Sequence, residues 1–325
     1  MDAITNAPSN HAQCVMSSEF TACRTMKIDV DLSSVDTKRE LVLTIGTFDG
    51  VHLGHRHLVR QVERRAQQLG CASVAITFHP HPRKVIAGYA PPCLSTLDER
   101  LALLRGLGLD VVMPLQFTPD LARLRALDFM SLLCESMRVR ELWVGSDFAL
   151  GYQREGTIAR LAEIGRVLGY DVHGVPPLVL HGQIVSSTLI RELIGHGQVE
   201  SVCQLLTRPY HVSGIAMPAE QRDRHPAFAT ATVVVPDGLS IPARGVYDAC
   251  VRSSHRQWST AACVETDLVG TVQRLELSAS YLPEDVYGQL IQVDFIRRLQ
   301  PGVTAQPART PPEKTRAQRQ VLSPA

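Results

Sequence analysis

Two histidines follow a short apolar run in residues 44–55. Gly46 and Gly50 allow the backbone to turn tightly there and to approach a ligand closely. His52 and His55 are three residues apart, so they share one face of a helix that begins beside them. Free N–H groups at a helix start favour an anion, and imidazoles add directed donors. The pattern predicts a phosphate site, with surface histidines or a weak metal site as alternatives.

A second group of phosphate-binding side chains lies in residues 185–191, after an expected fifth strand. Ser186, Ser187 and Thr188 bring three hydroxyls to a predicted helix start, and Arg191 follows one turn later. Serine and threonine are good N-caps, so a purely structural role is the alternative. Hydroxyls, free backbone N–H groups and a guanidinium together also suit a phosphate. We therefore expect a second phosphate cradle here.

Histidine alternates with proline in residues 77–83, before an arginine. Each proline restricts the histidine before it, His79 or His81, to extended conformations, which predicts a stiff platform at the carboxyl edge of a sheet. Zinc binding is the alternative, although no cysteine or carboxylate lies at metal-ligand spacing. A further loop, with Asp147 and Phe148, has either a structural or a ligand-binding role.

The elements that must position these segments alternate between strands and helices. Short apolar runs predict buried strands at residues 41–45, 72–77, 111–115 and 142–144, and helical periodicity marks residues 56–69 and 96–107. This alternation is typical of right-handed βαβ units on a parallel sheet, with ligands bound beyond the carboxyl ends of the strands. We expect this α/β domain to form a complete layer structure without the rest of the chain.

The helical pattern stops after Pro209. Short β-type runs at residues 229–235, 245–251, 275–280 and 290–295 predict a small antiparallel β-barrel. The predicted domains are therefore residues 39–206 and 207–299. Residues 1–38 and 300–325 are polar and aperiodic, and we expect both to be disordered extensions.

Composition narrows the function classes. The net charge is +1, from 33 basic and 32 acidic side chains, so the chain lacks the excess of positive charge that binds polyanions. No nucleic-acid partner is therefore expected. No apolar run approaches the length of about 18 residues that a membrane span needs. The 8 cysteines include no C-x-x-C pair, which predicts reduced thiols in a cytoplasmic protein without a resident metal site.

The histidine segment resembles the H-x-G-H signature of the nucleotidyltransferase superfamily. The segments in this order resemble most closely the bacterial FAD synthetases, which are bifunctional riboflavin kinase/FMN adenylyltransferases. The resemblance implies a Rossmann-like domain that transfers AMP from ATP to FMN. It also implies that ATP binds together with Mg²⁺. It implies catalytic roles for His52, His55 and Arg191. It implies ATP contacts for Gly46, Thr47, Phe48, Asp49, Gly50, Gly54, Ser186, Ser187 and Thr188. It implies FMN contacts for Phe78, His79, Pro80, His81, Pro82, Arg83, Asp147, Phe148, Gly151 and Arg154.

The second half resembles the riboflavin kinase domain of the same family less closely. Thr230 and Glu276 stand where the family has a magnesium-supporting threonine and its proposed catalytic base. The family's glycine-rich loop is not matched, because Ala219 and Asp223 occupy its glycine positions. Without those glycines the backbone cannot approach a phosphate closely. We therefore expect a degenerate kinase-like barrel that makes little or no FMN from riboflavin.

The expected function is that of a FAD synthase, which uses ATP and FMN and releases FAD and pyrophosphate. Two alternatives stay open. One is a bifunctional enzyme that also phosphorylates riboflavin, and the other is a non-catalytic regulator that binds flavin nucleotides. The intact histidine pair favours an enzyme. Ala149, where many family members have arginine, favours the regulator.

Overall fold

The computed structural model of the chain describes residues 39–218, 229–266, 273–279 and 286–299. The two extensions that were predicted to be disordered lie outside these residues. The described chain forms a five-stranded sheet flanked by helices and then a closed barrel. The predicted architecture, a Rossmann-like domain followed by an antiparallel β-barrel, is therefore confirmed.

Five strands form the first sheet, and every pairing between neighbours is parallel. They are β1 (Leu41–Gly46), β2 (Ala72–His79), β3 (Val111–Gln116), β4 (Val139–Gly145) and β7 (Asp171–Val175). Their order is β3-β2-β1-β4-β7, so the direction of winding reverses between β1 and β4. Open α/β sheets bind ligands outside the carboxyl ends of their strands at such a switch point.

Two helices pack on each face of this sheet: α4 (Ala126–Ser136) and α5 (Ile158–Leu168) on one, α1 (Leu53–Leu69) and α3 (Leu97–Arg105) on the other. The other helices of the domain are α2 (Pro82–Ala87), α6 (Ser187–Gly195) and α7 (Val199–Leu206). A capping box begins α3: the Thr96 hydroxyl accepts from the Glu99 N–H, and the Glu99 carboxylate accepts from the Thr96 N–H. This exchange satisfies two N–H groups that a helix start leaves without helical partners.

Alternate residues of β1 enter different cores. Leu41, Leu43 and Ile45 belong to the core that includes the buried residues of α4 and α5. Val42 belongs to the core on the other face, with the buried residues of α1 and α3. Burial on both faces explains why the sequence shows a continuous apolar run rather than an alternating one.

Two short strand pairs interrupt the alternation of strands and helices. They are β5 (Ala149–Leu150) with β6 (Gly156–Thr157), and β8 (Val179–Leu180) with β9 (Gln183–Ile184). The second pair lies between β7 and α6. The start of α6 follows the fifth strand of the sheet, β7, as expected, and this hairpin carries the chain from β7 to α6.

Six antiparallel strands close the barrel in the order β10-β11-β14-β13-β12-β15. They are β10 (Tyr210–Pro218), β11 (Ala229–Val234), β12 (Gly245–Arg252), β13 (Gln257–Thr266), β14 (Gln273–Ala279) and β15 (Leu290–Leu299). The sequence predicted four of them and missed β10 and β13. The missed strands have weak apolar signals, because Gly214 lies within β10 and small residues such as Ala261 and Ala262 form the middle of β13.

The last two helices of the α/β domain share a core with the barrel. Ile190 and Ile194 of α6 and Val202 of α7 lie in one buried cluster with Tyr210 and Phe295 of the barrel. The expectation that the α/β domain is complete without the barrel is therefore wrong for α6 and α7. Their apolar faces are covered by barrel strands rather than by the parallel sheet.

Hydrogen bonds join the barrel to the segment that leads into α3. The Cys93 N–H donates to the Gly238 carbonyl at 2.6 Å, and the Ser240 N–H donates to the Cys93 carbonyl at 2.8 Å. Ser213 of β10 donates its hydroxyl to the Glu99 carboxylate at 2.6 Å. The barrel therefore holds both the segment around residue 93 and the start of α3.

Candidate active site

The chain turns sharply after β1. Phe48 has φ of 46° and is only 2% exposed, with its ring in the core between α1 and α3. Gly46 lies against that ring, since a Cβ there would come within 3.1 Å of it. Gly50 has φ of 75°, and a Cβ there would meet the Leu94 side chain at 2.9 Å. The Phe48 side chain thus anchors the loop, and contacts of this loop with ATP stay a prediction.

Asp49 joins this loop to two other parts of the chain. Its carboxylate accepts from the Leu94 N–H at 2.9 Å and pairs with the Arg191 guanidinium at 2.6 Å. Its backbone carbonyl accepts from the Ser187 hydroxyl at 3.1 Å. We call Asp49, Leu94, Ser187 and Arg191 the Asp49 cluster. It brings the start of α6 against the loop after β1, as the two predicted phosphate segments require.

The two predicted catalytic histidines lie face to face at the start of α1. Their ring centroids are 3.7 Å apart with an angle of 18° between the planes. His52 is the N-cap of α1, and its Nδ1 accepts from the His55 N–H at 3.3 Å. Gly54 leaves room for this ring, since a Cβ there would lie 3.1 Å from it.

Both imidazoles are neutral near pH 7. Burial, with the nearby charge of Arg191 adding to it, lowers the pKa of His52 to about 4. Burial, together with His52 and Arg100, holds the pKa of His55 well below its ordinary value. Since Nδ1 of His52 accepts a hydrogen bond, we assign the proton of its neutral ring to Nε2. That N–H is a directed donor for a ligand.

The start of α6 has the capping expected from the sequence. The Ser186 hydroxyl is the N-cap and accepts from the Leu189 N–H at 3.2 Å. Thr188 is exposed. Arg191 also donates to the Pro92 carbonyl at 2.7 Å, so its guanidinium joins α6 to the segment before α3. The Ser186 cap and the exposed Thr188 thus lie side by side at this helix start, and phosphate binding by Thr188 stays a prediction.

The histidine–proline platform continues from the end of β2. Phe78 is buried and packs edge-on against Phe117, whereas His79 is exposed. His81 is the N-cap of α2, and its Nδ1 accepts from the Arg83 N–H at 3.2 Å. Burial lowers the pKa of His81, with an opposing effect of Asp49 and an added effect of Arg191. His81 thus lies close enough to the Asp49 cluster for the charges of Asp49 and Arg191 to affect its pKa.

Of the remaining platform residues, Pro80 and Pro82 are partly buried and Arg83 is exposed. Pro82 is the first residue of α2, a position at which the missing proline N–H has no helical partner to lose.

The loop after β4 packs mainly against α4. Phe148 is partly buried against the core there, and a Cβ on Gly151 would meet the Ala126 nitrogen at 2.6 Å. Arg154 donates to the Asp147 carbonyl at 3.1 Å. Because β4 pairs with β1, this loop lies at the same edge of the sheet as the histidine pair. Its predicted contacts with FMN stay a prediction.

The two residues of the kinase-like site lie on neighbouring barrel strands. Thr230 pairs with Ser278, and Glu276 pairs with Thr232, so both side chains point to the same face of the sheet. That face is opposite to the one on which Ala231 and Leu277 are fully buried. Thr230 and Glu276 therefore lie on the outer surface of the barrel. The positions of the altered glycine loop, 219 and 223, lie outside the described residues.

Sequence reasoning missed Arg100. Only 3% of this residue is exposed, and its Nη1 donates to the Phe78 carbonyl at 3.1 Å. The signal was present, because Arg100 lies three residues after Leu97 and four before Leu104, on the apolar face of α3. Arg208 was also missed as a neighbour of the site, although it donates to the Gly50 carbonyl at 2.9 Å.

Together, the fold and this arrangement define an α/β domain of the nucleotide-binding class, in which the starts of α1 and α6 converge at the sheet's switch point, joined to a six-stranded barrel. Family comparisons agree with this class. The FAD synthetase family model matches residues 34–189, and the riboflavin kinase family model matches residues 206–306.

Two curated relatives illustrate the similarity. The bifunctional riboflavin kinase/FMN adenylyltransferase of Escherichia coli (strain K12) is 32% identical over 263 residues, which cover 79% of this chain and 84% of the relative. The corresponding protein of Haemophilus influenzae is 30% identical over 262 residues, which cover 79% and 85%. The chain belongs to the bifunctional riboflavin kinase/FMN adenylyltransferase family, as its sequence motifs predicted.

A solved structure described as a macrolide-efflux protein from Streptococcus pneumoniae has the same fold. The TM-score is 0.74 at 26% identity, with 84% of this chain and 90% of that chain covered. The efflux function in that description refers only to the Streptococcus pneumoniae protein. In the part of this chain that the structure describes, no helix is long and apolar enough to cross a membrane.

The lowered pKa of His52 predicts an acid-sensitive fold. An unfolded histidine takes up a proton below about pH 6.5, whereas folded His52 does so only below about 4. Between these values the unfolded state binds more protons, so stability falls as the pH falls. His52→Asn keeps an N-cap acceptor and removes this titration. We expect the thermal unfolding midpoint of the wild type to drop more between pH 7 and pH 5 than that of His52→Asn.

The control for this measurement is His255→Asn, at an exposed histidine between β12 and β13. It should follow the wild type. Equal pH slopes for the wild type and His52→Asn would show that burial of His52 does not govern its protonation.

Proposed function

We propose that the chain transfers the adenylyl group of ATP to the phosphate of FMN, giving FAD and pyrophosphate. The observation that carries the proposal is the Asp49 cluster, which ties the start of α6 to the loop before α1. Two helix starts, each with free N–H groups, thereby converge on one place. One brings the stacked histidines, and the other brings hydroxyls and Arg191.

The proposed reaction is an in-line displacement. An oxygen of the FMN phosphate attacks the α-phosphorus of ATP, the bond from that phosphorus to the α–β bridging oxygen breaks, and pyrophosphate leaves. Negative charge grows on the oxygens around the α-phosphorus and on the leaving group. His52 and His55 donate hydrogen bonds to the former, while the start of α6 and Arg191 hold the latter. The acceptor is already an anion, so positioning and electrostatics supply the catalysis.

Magnesium enters this proposal as part of the substrate, bound to the phosphates of ATP. The Asp49 carboxylate is occupied by the Leu94 N–H and Arg191. In the described ranges, no group of three or more His, Cys, Asp or Glu side chains could hold a metal ion. Mg²⁺ commonly uses substrate phosphates and water as ligands, and it neutralises the charge that develops on transfer. A cytoplasmic location, where ATP is available, fits the same proposal.

FMN is proposed to bind on the side of the platform and the loop after β4. Both segments follow strands that pair directly with β1, so they flank the histidine pair. The exposed side chains of His79, Arg83 and Arg154 offer polar contacts there.

Riboflavin phosphorylation is the second candidate function. The match of residues 206–306 to the riboflavin kinase family model supports it. The substitution of the family's loop glycines by Ala219 and Asp223 opposes it, because a Cβ at such positions keeps the backbone away from a phosphate. We therefore propose adenylyl transfer as the principal activity.

A flavin assay separates these functions. Purified protein with ATP and Mg²⁺ is incubated with either FMN or riboflavin, and the flavins are separated by chromatography. We expect FAD and pyrophosphate from FMN, and little or no FMN from riboflavin. Binding of FMN without FAD formation would favour the non-catalytic regulator. Abundant FMN formation that is lost in Glu276→Ala would establish the bifunctional enzyme instead.

The histidine pair gives a quantitative test. Removing one preorganised donor to transition-state charge costs about 2.7–4 kcal/mol, or roughly 10²–10³ in rate, in the comparable oxyanion case. His52→Ala and His55→Ala should each lower kcat by this order and leave KM for FMN nearly unchanged. His57→Ala, on the same helix but outside the pair, is the control. Folded His52→Ala and His55→Ala proteins with wild-type turnover would contradict the phosphate role.

A further inference from the structure

Arg100 is a buried cation that forms no ion pair with the described residues. Its Nη1 donates to the Phe78 carbonyl at 3.1 Å and to the Thr77 hydroxyl at 3.4 Å. Its Nε is buried and has no hydrogen-bond partner among the described residues. Removing an ion from water is unfavourable even after the protein relaxes, and a nearby anion normally offsets that cost. Burial lowers the pKa of Arg100, and the nearby charges of Asp49 and Cys93 oppose this effect only in part.

The Arg100 guanidinium lies where the two predicted substrate segments meet. It donates to the carbonyl of Phe78, at the end of β2 and directly before His79 of the platform. Thr77, its other acceptor, donates in turn to the Thr47 carbonyl in the loop after β1 at 3.1 Å. The charge of Arg100 also contributes to the lowered pKa of His55, on the ATP side, and of His81, on the FMN side.

The helix that carries Arg100 is held firmly. The capping box fixes the start of α3, and Glu99 accepts further hydrogen bonds from Ser213 and, at 3.3 Å, from His211 of the barrel. Leu97 and Leu104 lie on the same helix face as Arg100, which is therefore an apolar position. A purely structural role there would be filled as well by an apolar side chain of similar volume.

We propose that Arg100 is a further phosphate-binding residue of the transfer site, which supplies positive charge to a phosphate group of the substrates where FMN and ATP meet. The inference rests on the proposed function and adds a residue to it. The Asp49 carboxylate acts on Arg100 but is ion-paired with Arg191, so among the described residues no anion lies within ion-pair distance of Arg100. A bound phosphate would provide one. The weak screening of a buried site strengthens that attraction.

Three variants test the proposal. Arg100→Met removes the charge and keeps much of the side-chain volume. Arg100→Lys keeps a positive charge but replaces the planar guanidinium. Arg105→Met is the control, because it removes a charge from an exposed position on the same helix. Calorimetry gives the affinity of each protein for FMN, riboflavin, ATP with Mg²⁺, and pyrophosphate. Thermal unfolding without ligand gives the stability of each.

The expected result separates binding from folding. Hydrogen bonds to charged groups are worth about 1.5–3 kcal/mol, so Arg100→Met should weaken phosphate binding roughly 10–100-fold. Without ligand, Arg100→Met should unfold at or above the wild-type temperature. Riboflavin, which has no phosphate, should bind as to the wild type. Arg100→Lys should retain part of the affinity, and Arg105→Met should match the wild type throughout.

The ligands also locate the contact. A loss confined to FMN places Arg100 at the acceptor phosphate, and a loss for ATP and pyrophosphate places it at the nucleotide. Three results would overturn the proposal. Arg100→Met could bind every phosphate ligand with full affinity, it could lose affinity for riboflavin and FMN equally, or it could fail to fold. Wild-type protein that binds neither FMN nor ATP would instead contradict the proposed function, while pyrophosphate would still test Arg100.

Discussion

The Asp49 carboxylate lies where only 1% of the residue is exposed, so it depends on donors and a cation brought from other parts of the chain. Leu94 supplies the backbone donor, and Arg191 supplies the charge. These partners lie 45 and 142 residues away in the sequence. The loop after β1, the segment before α3 and the start of α6 are therefore fixed to one another around a single buried side chain.

The barrel belongs to this arrangement, whatever reactions it catalyses. It covers the apolar faces of α6 and α7 and bonds to Cys93 and Glu99 on either side of the Asp49 contact at Leu94. Arg208, just before the barrel begins, donates to the Gly50 carbonyl beside Asp49. Two of the three segments joined at Asp49 thus rest on the barrel.

Local patterns in the sequence were enough to predict the bounds of four of the five sheet strands, the H-x-G-H helix start and the hydroxyl-rich start of α6. They could not predict that Arg191 and Asp49 pair, because that contact depends on how distant segments pack. Phe48 and Asp49 were assigned to ATP from their place in a motif, whereas the structure gives their side chains positioning contacts. Arg100 did carry a local signal, a charge on an apolar helix face, but its meaning depends on a neighbourhood that only the fold assembles.

The central claim, that the Asp49–Arg191 pair holds the transfer site together, is tested most directly by a double-mutant cycle of unfolding free energies. The proteins are the wild type, Asp49→Asn, Arg191→Met and the double variant. Breaking a buried pair leaves one charge without its partner and costs about 3–5 kcal/mol. Each single variant should therefore be strongly destabilised, and the double variant should be much more stable than the sum predicts. Additivity within about 0.5 kcal/mol would contradict the account.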